Sequence, residues 1–449
     1  MADTIFALSS GAVPSGVAVI RLSGERVGEA LRLLTGSVPK PRRTALRRLR
    51  AQESGEVIDE ALVLFFKGPA SFTGEDVAEL QCHGGRAVVA RLLEVLSGIE
   101  GMRPAEPGEF TRRAFENGRM DLTEVEGLSD LIAAETEAQR RQAVRQMGGA
   151  LGQLYEGWRK RLIHMRAMVE AEFDFADEED VPGSVADEVW VEAAALADEI
   201  ELHLEKSRSG ERLRTGLQVV LMGAPNAGKS SLLNAIAGRD IAIVTEEAGT
   251  TRDVIETHLD LGGYPVTLVD TAGLRETDGV VEREGIRRAR ERGRGADLVL
   301  WAMEPGGMPP DHVAAGLSDE IRAIVPLWIV NTKTDLETPP ERDSSGTTHE
   351  IPCSTKNASG TDLLLKRLSD FAEETIAVGE APLATRQRHR HFLVECCSAL
   401  RQGVSAAHLP GELRAEELRL AADALGRITG RIDVEDLLDV IFRDFCIGK

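Results

Sequence analysis

Short apolar runs punctuated by glycine, serine and proline dominate the first 118 residues. Residues 16–22 (GVAVIRL) and 60–66 (EALVLFF) are β-branched or aromatic and predict strands. Residues 87–96 (AVVARLLEVL) have the apolar spacing of a helix. The pattern changes near Asp121. Residues 122–155, 156–173 and 185–214 are rich in Ala, Glu, Gln, Arg and Leu with almost no strand formers, and predict long helices. The acidic stretch 174–180 between them reads as a solvated connector. From Leu217 to about Phe371 short apolar strands alternate with helices, at 217–222, 266–269, 298–302 and 327–330. That alternation predicts a parallel, doubly wound sheet. Residues 343–348 read as a surface loop within it, and helical character returns at 386–400, 415–429 and 433–444.

The helical segments before Leu217 and after Gly379 share composition and flank a self-contained α/β unit. The simplest assembly is multidomain: an N-terminal α/β domain (1–118), and one discontinuous helical domain (119–214 and 377–449) with an α/β domain (215–376) inserted into it.

Composition narrows the function. The chain has 449 residues, with 53 Lys plus Arg against 74 Asp plus Glu, a net charge of −21. That argues against sequence-independent nucleic-acid binding over the whole surface, because such binding neutralises phosphates with cations. A local basic patch, such as the cluster Arg386, Arg388, His389, Arg390 and His391, stays open as a contact to nucleic-acid phosphates or a solvated helix face. The five cysteines are scattered, with no CxxC pair, so reduced thiols in a cytoplasm fit best. No apolar run approaches the ~18 residues of a membrane span, and no basic flank marks a secretory signal.

Gly223-Ala-Pro-Asn-Ala-Gly228-Lys229-Ser230 matches the phosphate-loop pattern between an expected strand and an expected helix. Its glycines let backbone N–H groups converge on phosphate oxygens at a helix N-terminus. Lys229 would reach the β and γ phosphates, and the Ser230 hydroxyl would bind Mg²⁺. Asp270-Thr271-Ala272-Gly273 ends a strand, where Asp270 can hold Mg²⁺ through water and the Gly273 N–H can face the γ-phosphate. Thr250 and Thr251 lie between these motifs, and a threonine there can complete the Mg²⁺ shell. Asp335, in Thr332-Lys333-Thr334-Asp335, is placed to accept hydrogen bonds from N1 and N2 of guanine, a donor pair adenine lacks. Ser354, Thr355 and Lys356 would add backbone contacts to the guanine carbonyl. Leu274 follows the DTAG motif where Ras-type GTPases carry a water-orienting glutamine, so another group must orient water and stabilise charge.

These motifs, with AIVTEEAGTTRD, DTAGLRE, IRLSG, FTGEDVAELQCHGG, PGEFTRRAFENGRMDLTEVEGLSDLI and the terminal FCIGK, resemble the tRNA modification GTPase family MnmE, also called TrmE, along essentially the whole chain. The resemblance implies an N-terminal folate-binding, dimerising domain and a Ras-like GTPase domain that uses K⁺ in place of an arginine finger. Asn226, Thr245, Glu247 and Thr250 would ligate K⁺; Ser230, Thr251 and Asp270 would hold Mg²⁺. Glu282 would orient water, with Lys229 and Gly273 as catalytic partners. GTP contacts would span Asn226, Ala227, Gly228, Lys229, Ser230 and Ser231; Thr245, Glu246, Glu247, Ala248, Gly249, Thr250 and Thr251; Asp270, Thr271, Ala272 and Gly273; and Thr332, Lys333, Asp335, Ser354, Thr355 and Lys356. Arg21, Glu79, Arg119 and Lys449 match positions for a tetrahydrofolate derivative, 5-formyl or methylene. Cys446 is either a nucleophile near that cofactor or a structural terminal thiol. The implied function is GTP hydrolysis coupled to 5-carboxymethylaminomethyl or aminomethyl formation at the wobble uridine (U34) of certain tRNAs. Its implied assembly is a homodimer that joins the flavin-bearing partner MnmG (GidA) as a heterotetramer.

Two departures stand out. The usual guanine motif is NKxD, whose asparagine holds the base and a neighbouring loop; here Thr332 takes that place, which predicts GTP preference with weakened affinity. Arg119 stands where many relatives have lysine. A ribosome-assembly GTPase and a folate-dependent one-carbon enzyme with a regulatory GTPase insertion remain alternative readings at this level.

Overall fold

The computed structural model describes residues 3–174, 185–223, 226–239, 241–243, 255–270, 296–305, 325–336, 349–357, 360–376, 382–408, 410–432, 438, 441–442, 445 and 447–448. They fall into two compact units: Met1–Ser129, Gln146–Ala194 and Ser398–Lys449 in one, Asp130–Arg145 and Ala195–Cys397 in the other.

The first unit contains a six-stranded sheet built from β1 (Thr4–Leu8), β2 (Ser15–Ser23), β3 (Ala45–Arg50), β4 (Val57–Phe66), β5 (Val77–Gly84) and β6 (Met102–Pro104), in the order β3-β4-β5-β2-β1-β6. All pairings are antiparallel except β1 with β6. Helices α1 (Val27–Thr35) and α2 (Arg86–Ser97) bury Leu31, Leu34, Leu92 and Leu96 in one core with Ile20, Leu22, Ala78 and Leu80. Side chains alternate along a strand, so Arg21 and Glu79 face the other way. On that side α3 (Glu109–Glu116) packs Phe110 against Ile5 and Ala7.

The single helix expected over residues 122–155 is three: α4 (Leu122–Ala133), α5 (Glu137–Met147) and α6 (Ala150–Asp174). Two reciprocal capping boxes mark the start of α4 and the restart at α5. At the first, the Glu124 N–H donates to Asp121 Oδ1 (2.9 Å) while the Asp121 N–H donates to Glu124 Oε2 (2.7 Å). At the second, Gln139 N–H donates to Thr136 Oγ1 (3.4 Å) and Thr136 N–H to Gln139 Oε1 (3.0 Å). Gly149, at φ +81°, then separates α5 from α6. Helix α7 spans Val185–Thr215.

The second unit holds a seven-stranded sheet: β7 (Leu217–Gly223), β8 (Ala242–Ile243), β9 (Ile255–Leu261), β10 (Tyr264–Asp270), β11 (Leu298–Met303), β12 (Leu327–Asn331) and β13 (His349–Pro352). The order is β13-β12-β11-β7-β10-β9-β8, with β7, β10, β11, β12 and β13 parallel and β9 antiparallel. Helices α8 (Lys229–Ala237) and α9 (Thr361–Ile376) bury Leu232, Ile236, Leu364 and Leu368 on one face, against Val219, Leu221, Leu268 and Leu300. The order reverses at β7, whose neighbours β10 and β11 come later on opposite sides. A ligand crevice opens at the carboxyl end of such a switch point. Helices α10 (Gln387–Ser405) and α11 (Gly411–Thr429) follow. The expected loop over residues 343–348 lies outside the described residues, as do all but Asp174 of the acidic stretch and most of the helix expected over 433–444.

Candidate functional site

The loop after β7 is shaped by backbone positions that few residues tolerate. Gly223 sits at φ +146°, and a Cβ there would drive into the carbonyl of Ala302 on the neighbouring strand β11. Asn226 (φ +65°) and Gly228 (φ +80°) both take left-handed conformations, and Gly228 caps the N-terminus of α8. The chain thus wraps between strand and helix, the arrangement the phosphate-loop pattern implies. Lys229 is buried and donates from Nζ to the Gly223 carbonyl at 2.8 Å, crossing the loop it closes. Ser230 and Ser231 are exposed in the first turn of α8.

Asp270 ends β10 beside this loop, since β10 pairs in parallel with β7 and Asp270 lies in register with Leu221. Residues 332–335 leave β12 two strands away on the other side. Thr332 is buried, and its hydroxyl lies 2.7 Å from the Ala227 carbonyl and 3.1 Å from that of Met303. It therefore ties the segment 332–335 to the loop after β7. Lys333, at φ +56°, pairs with Glu304. Asn331 turns to the other side, its Nδ2 3.3 Å from Glu350 Oε2.

Asp335 is exposed, and the buried Ser354 donates its hydroxyl to Oδ1 at 2.7 Å. That hydrogen bond holds the Asp335 carboxyl below the usual carboxylate range. Sequence reasoning had assigned Ser354 only a backbone contact; its side chain orients the carboxylate. Ser354 follows β13, the strand paired with β12, which brings its hydroxyl within reach of Asp335. Thr355 and Lys356 are exposed, and the Lys356 N–H donates to Ser354 Oγ at 3.3 Å.

In the N-terminal sheet, Arg21 and Glu79 stand directly opposite on β2 and β5, and their side chains meet at 3.0 Å. Each side chain is about one-fifth exposed (22% and 21%). The guanidinium also lies over the rings of Phe72 (5.7 Å) and Phe110 (5.8 Å), two aromatic neighbours the sequence did not reveal. The 71–76 loop that carries Phe72 is fixed from beneath: Ser23 and Arg113 both bond Glu75, and Asn117 donates to the Thr73 carbonyl at 2.8 Å. Arg119 is exposed beside Gly74 of that loop. The chain terminus reaches the same unit, where Ile447 bridges Pro107 and the Ser9 hydroxyl donates to the Gly448 carbonyl at 2.7 Å.

The cluster at 386–391 is divided, with His391 exposed and Arg388 and Arg390 half-buried. Arg386 pairs with Asp130 at 2.6 Å, His389 is fully buried, and Arg388 contacts the His389 ring. Cys82, Cys353, Cys396 and Cys397 are buried free thiols, and burial pushes Cys82 up to about 11, which suits inert packing rather than chemistry. Thr245, Glu246, Glu247, Ala248, Gly249, Thr250, Thr251, Thr271, Ala272, Gly273, Glu282, Cys446 and Lys449 lie outside the described residues. Among the described residues, no helix is long and apolar enough to cross a membrane.

The family described as "MnmE helical domain" matches residues 122–446, and "GTP-binding protein TrmE N-terminus" matches residues 4–119. The tRNA modification GTPase MnmE of Brucella anthropi is 54% identical over 100% of this chain and 98% of its own length. That of Sinorhizobium medicae is 53% identical over 100% of this chain and 99% of its own. Among solved structures, the G domain of the T. maritima FeoB iron transporter aligns at 23% identity over 35% of this chain and 98% of that one, with a TM-score of 0.27. That score is too low to bear on the fold, which rests on the strand order itself. Matched end to end with such relatives, the chain belongs to the MnmE family of tRNA modification GTPases.

Proposed function

We propose that this protein is a K⁺-activated GTPase that works with a flavin-bearing partner of the MnmG (GidA) type. Together they form the 5-carboxymethylaminomethyl or aminomethyl group at U34 of certain tRNAs, using a tetrahydrofolate one-carbon unit. The domains are proposed as 1–118 for folate binding and dimerisation, 215–376 for GTP, and 119–214 with 377–449 as the helical domain. The observation that carries the reading is the phosphate loop at the switch point of the second sheet, tied through Thr332 to a segment whose carboxylate, Asp335, is held ionised and oriented by Ser354.

Each residue then has a task. Backbone N–H groups of 226–231 bind phosphate oxygens, and Lys229 shifts from the Gly223 carbonyl to the β and γ phosphates. Asp335 accepts from guanine N1 and N2. The exposed Ser230 hydroxyl fits an oxygen-liganded Mg²⁺, for which Asp270, at the end of β10, would supply a carboxylate, and the amide of Asn226 at the loop's exposed crest fits K⁺. Bound cations would supply the fixed positive charge that offsets charge developing on the phosphates. Glu282 orients the attacking water. In the N-terminal sheet Glu79, paired with Arg21, is suited to accept from the guanine-like donor edge of a pterin. Arg119 and Lys449 would meet the acidic tail of the folate. The test is the nucleoside composition of tRNA from cells lacking the protein. Loss of the modified wobble uridine is expected, and unaltered wobble uridines would remove the reading.

A further inference from the structure

We infer that Thr332 keeps only half the role of the asparagine it replaces: it holds the phosphate loop and does not read the base, so guanine N7 receives no hydrogen bond from this position. The inference rests on residues 332–335 being the guanine site.

Thr332 is 3% exposed, and a hydroxyl has a single hydrogen. Both neighbours within reach of that hydroxyl are carbonyl oxygens, of Ala227 at 2.7 Å and of Met303 at 3.1 Å. The hydrogen is therefore engaged inside the protein. The Thr332 backbone N–H is engaged too, donating to the Met303 carbonyl at 2.7 Å. Its side chain also packs beside Gly228, where a Cβ would sit 3.5 Å from that of Thr332.

Guanine carries an acceptor, N7, on the side away from the N1 and N2 donors that Asp335 reads, and an acceptor needs a donor. Residue 332 has none left to give. The residues on either side do not replace it: Asn331 is buried toward Glu350, and Lys333 is paired with Glu304. The two roles are thus separable by chemistry. Removing the hydroxyl loosens the phosphate loop for any nucleotide, whereas removing N7 from the ligand changes nothing.

The test compares binding of GTP, 7-deaza-GTP (no N7 acceptor) and ITP (no N2 donor) to the full-length protein. Wild type is expected to bind 7-deaza-GTP within about twofold of GTP, and ITP about fivefold or more weakly, the loss of one hydrogen bond to a carboxylate. Thr332→Val should weaken all three by about five- to tenfold with their ratios unchanged, and Thr332→Ser should restore them. Thr332→Asn should create a preference for GTP over 7-deaza-GTP. The inference is overturned if wild type already binds 7-deaza-GTP several-fold more weakly than GTP, an outcome that needs no variant to fold. It is equally overturned if Thr332→Val binds as wild type does. Should ITP match GTP, the guanine reading of Asp335 falls as well; should ITP be weaker but 7-deaza-GTP weaker too, only the division of roles at Thr332 fails.

Discussion

Gly223→Ala places one methyl group where the second unit is least able to receive it. The residue ends β7, sits in register with Ala302 on β11, and holds φ +146°. Two costs follow. An L side chain at that φ is strained by about 1–3 kcal/mol. Its Cβ also meets backbone, the Ala302 carbonyl, rather than a flexible side chain, so the two strands must part at a cost of about 1–3 kcal/mol. A combined loss of roughly 3 kcal/mol lowers the melting temperature by roughly 6–12 °C for a unit of this size. The displacement falls at the mouth of the phosphate loop, so GTP affinity should drop with stability. Gly238→Ala is the control: its φ is −76° and its nearest neighbour is Asn234 O at 3.3 Å, so less than about 1 kcal/mol is expected. Thermal unfolding and nucleotide titration of both variants check this. A Gly223→Ala protein that melts and binds GTP like the Gly238→Ala control would refute the close-approach reasoning.

Ser354→Ala removes the hydrogen bond that keeps the Asp335 carboxyl low, so its titration should rise toward the ordinary value of 3.8 and GTP binding should weaken severalfold. Because the wild-type group stays ionised above that range, guanine selectivity should be flat from pH 5 to 8 and fall only on further acidification; a selectivity loss near pH 6 would contradict it. His203, pushed from 6.5 down to about 4 by burial, is neutral in the fold, whereas the unfolded chain takes up a proton below 6.5. Stability should thus be full at pH 7 and decline by about 3 kcal/mol as pH falls from 6.5 to 4. His203→Gln should flatten that decline in pH-dependent urea unfolding. Arg21→Ala should leave Glu79 unpaired, lower stability by about 1 kcal/mol and abolish tetrahydrofolate binding by calorimetry, while GTP turnover is unchanged.

The nucleotide site was legible because its chemistry is local in sequence. Eight contiguous residues specify the phosphate loop, and the apolar strands on either side of it read plainly. The N-terminal sheet was harder. β3 (ALRRLR) and β5 (VAELQCHG) are built from residues that favour helices, and only their pairing partners make them strands. The Arg21–Glu79 contact joins residues whose meeting is fixed by antiparallel register, which no spacing rule announces. The capping box at Thr136 was visible as T-x-x-Q, but uniform helix-forming composition concealed the break it marks. The run at 386–391 was left open between two readings because charge alone does not show which of its residues pack, and here Arg386 pairs with Asp130 while His389 is buried.

GTP turnover in KCl against NaCl at equal ionic strength bears most directly on the proposed mechanism, in which a monovalent cation at Asn226 takes the place of an arginine finger. Hydrolysis many-fold faster in K⁺, with the advantage lost in Asn226→Ala, is the expected result. Equal rates in the two salts would contradict the cation-assisted mechanism outright.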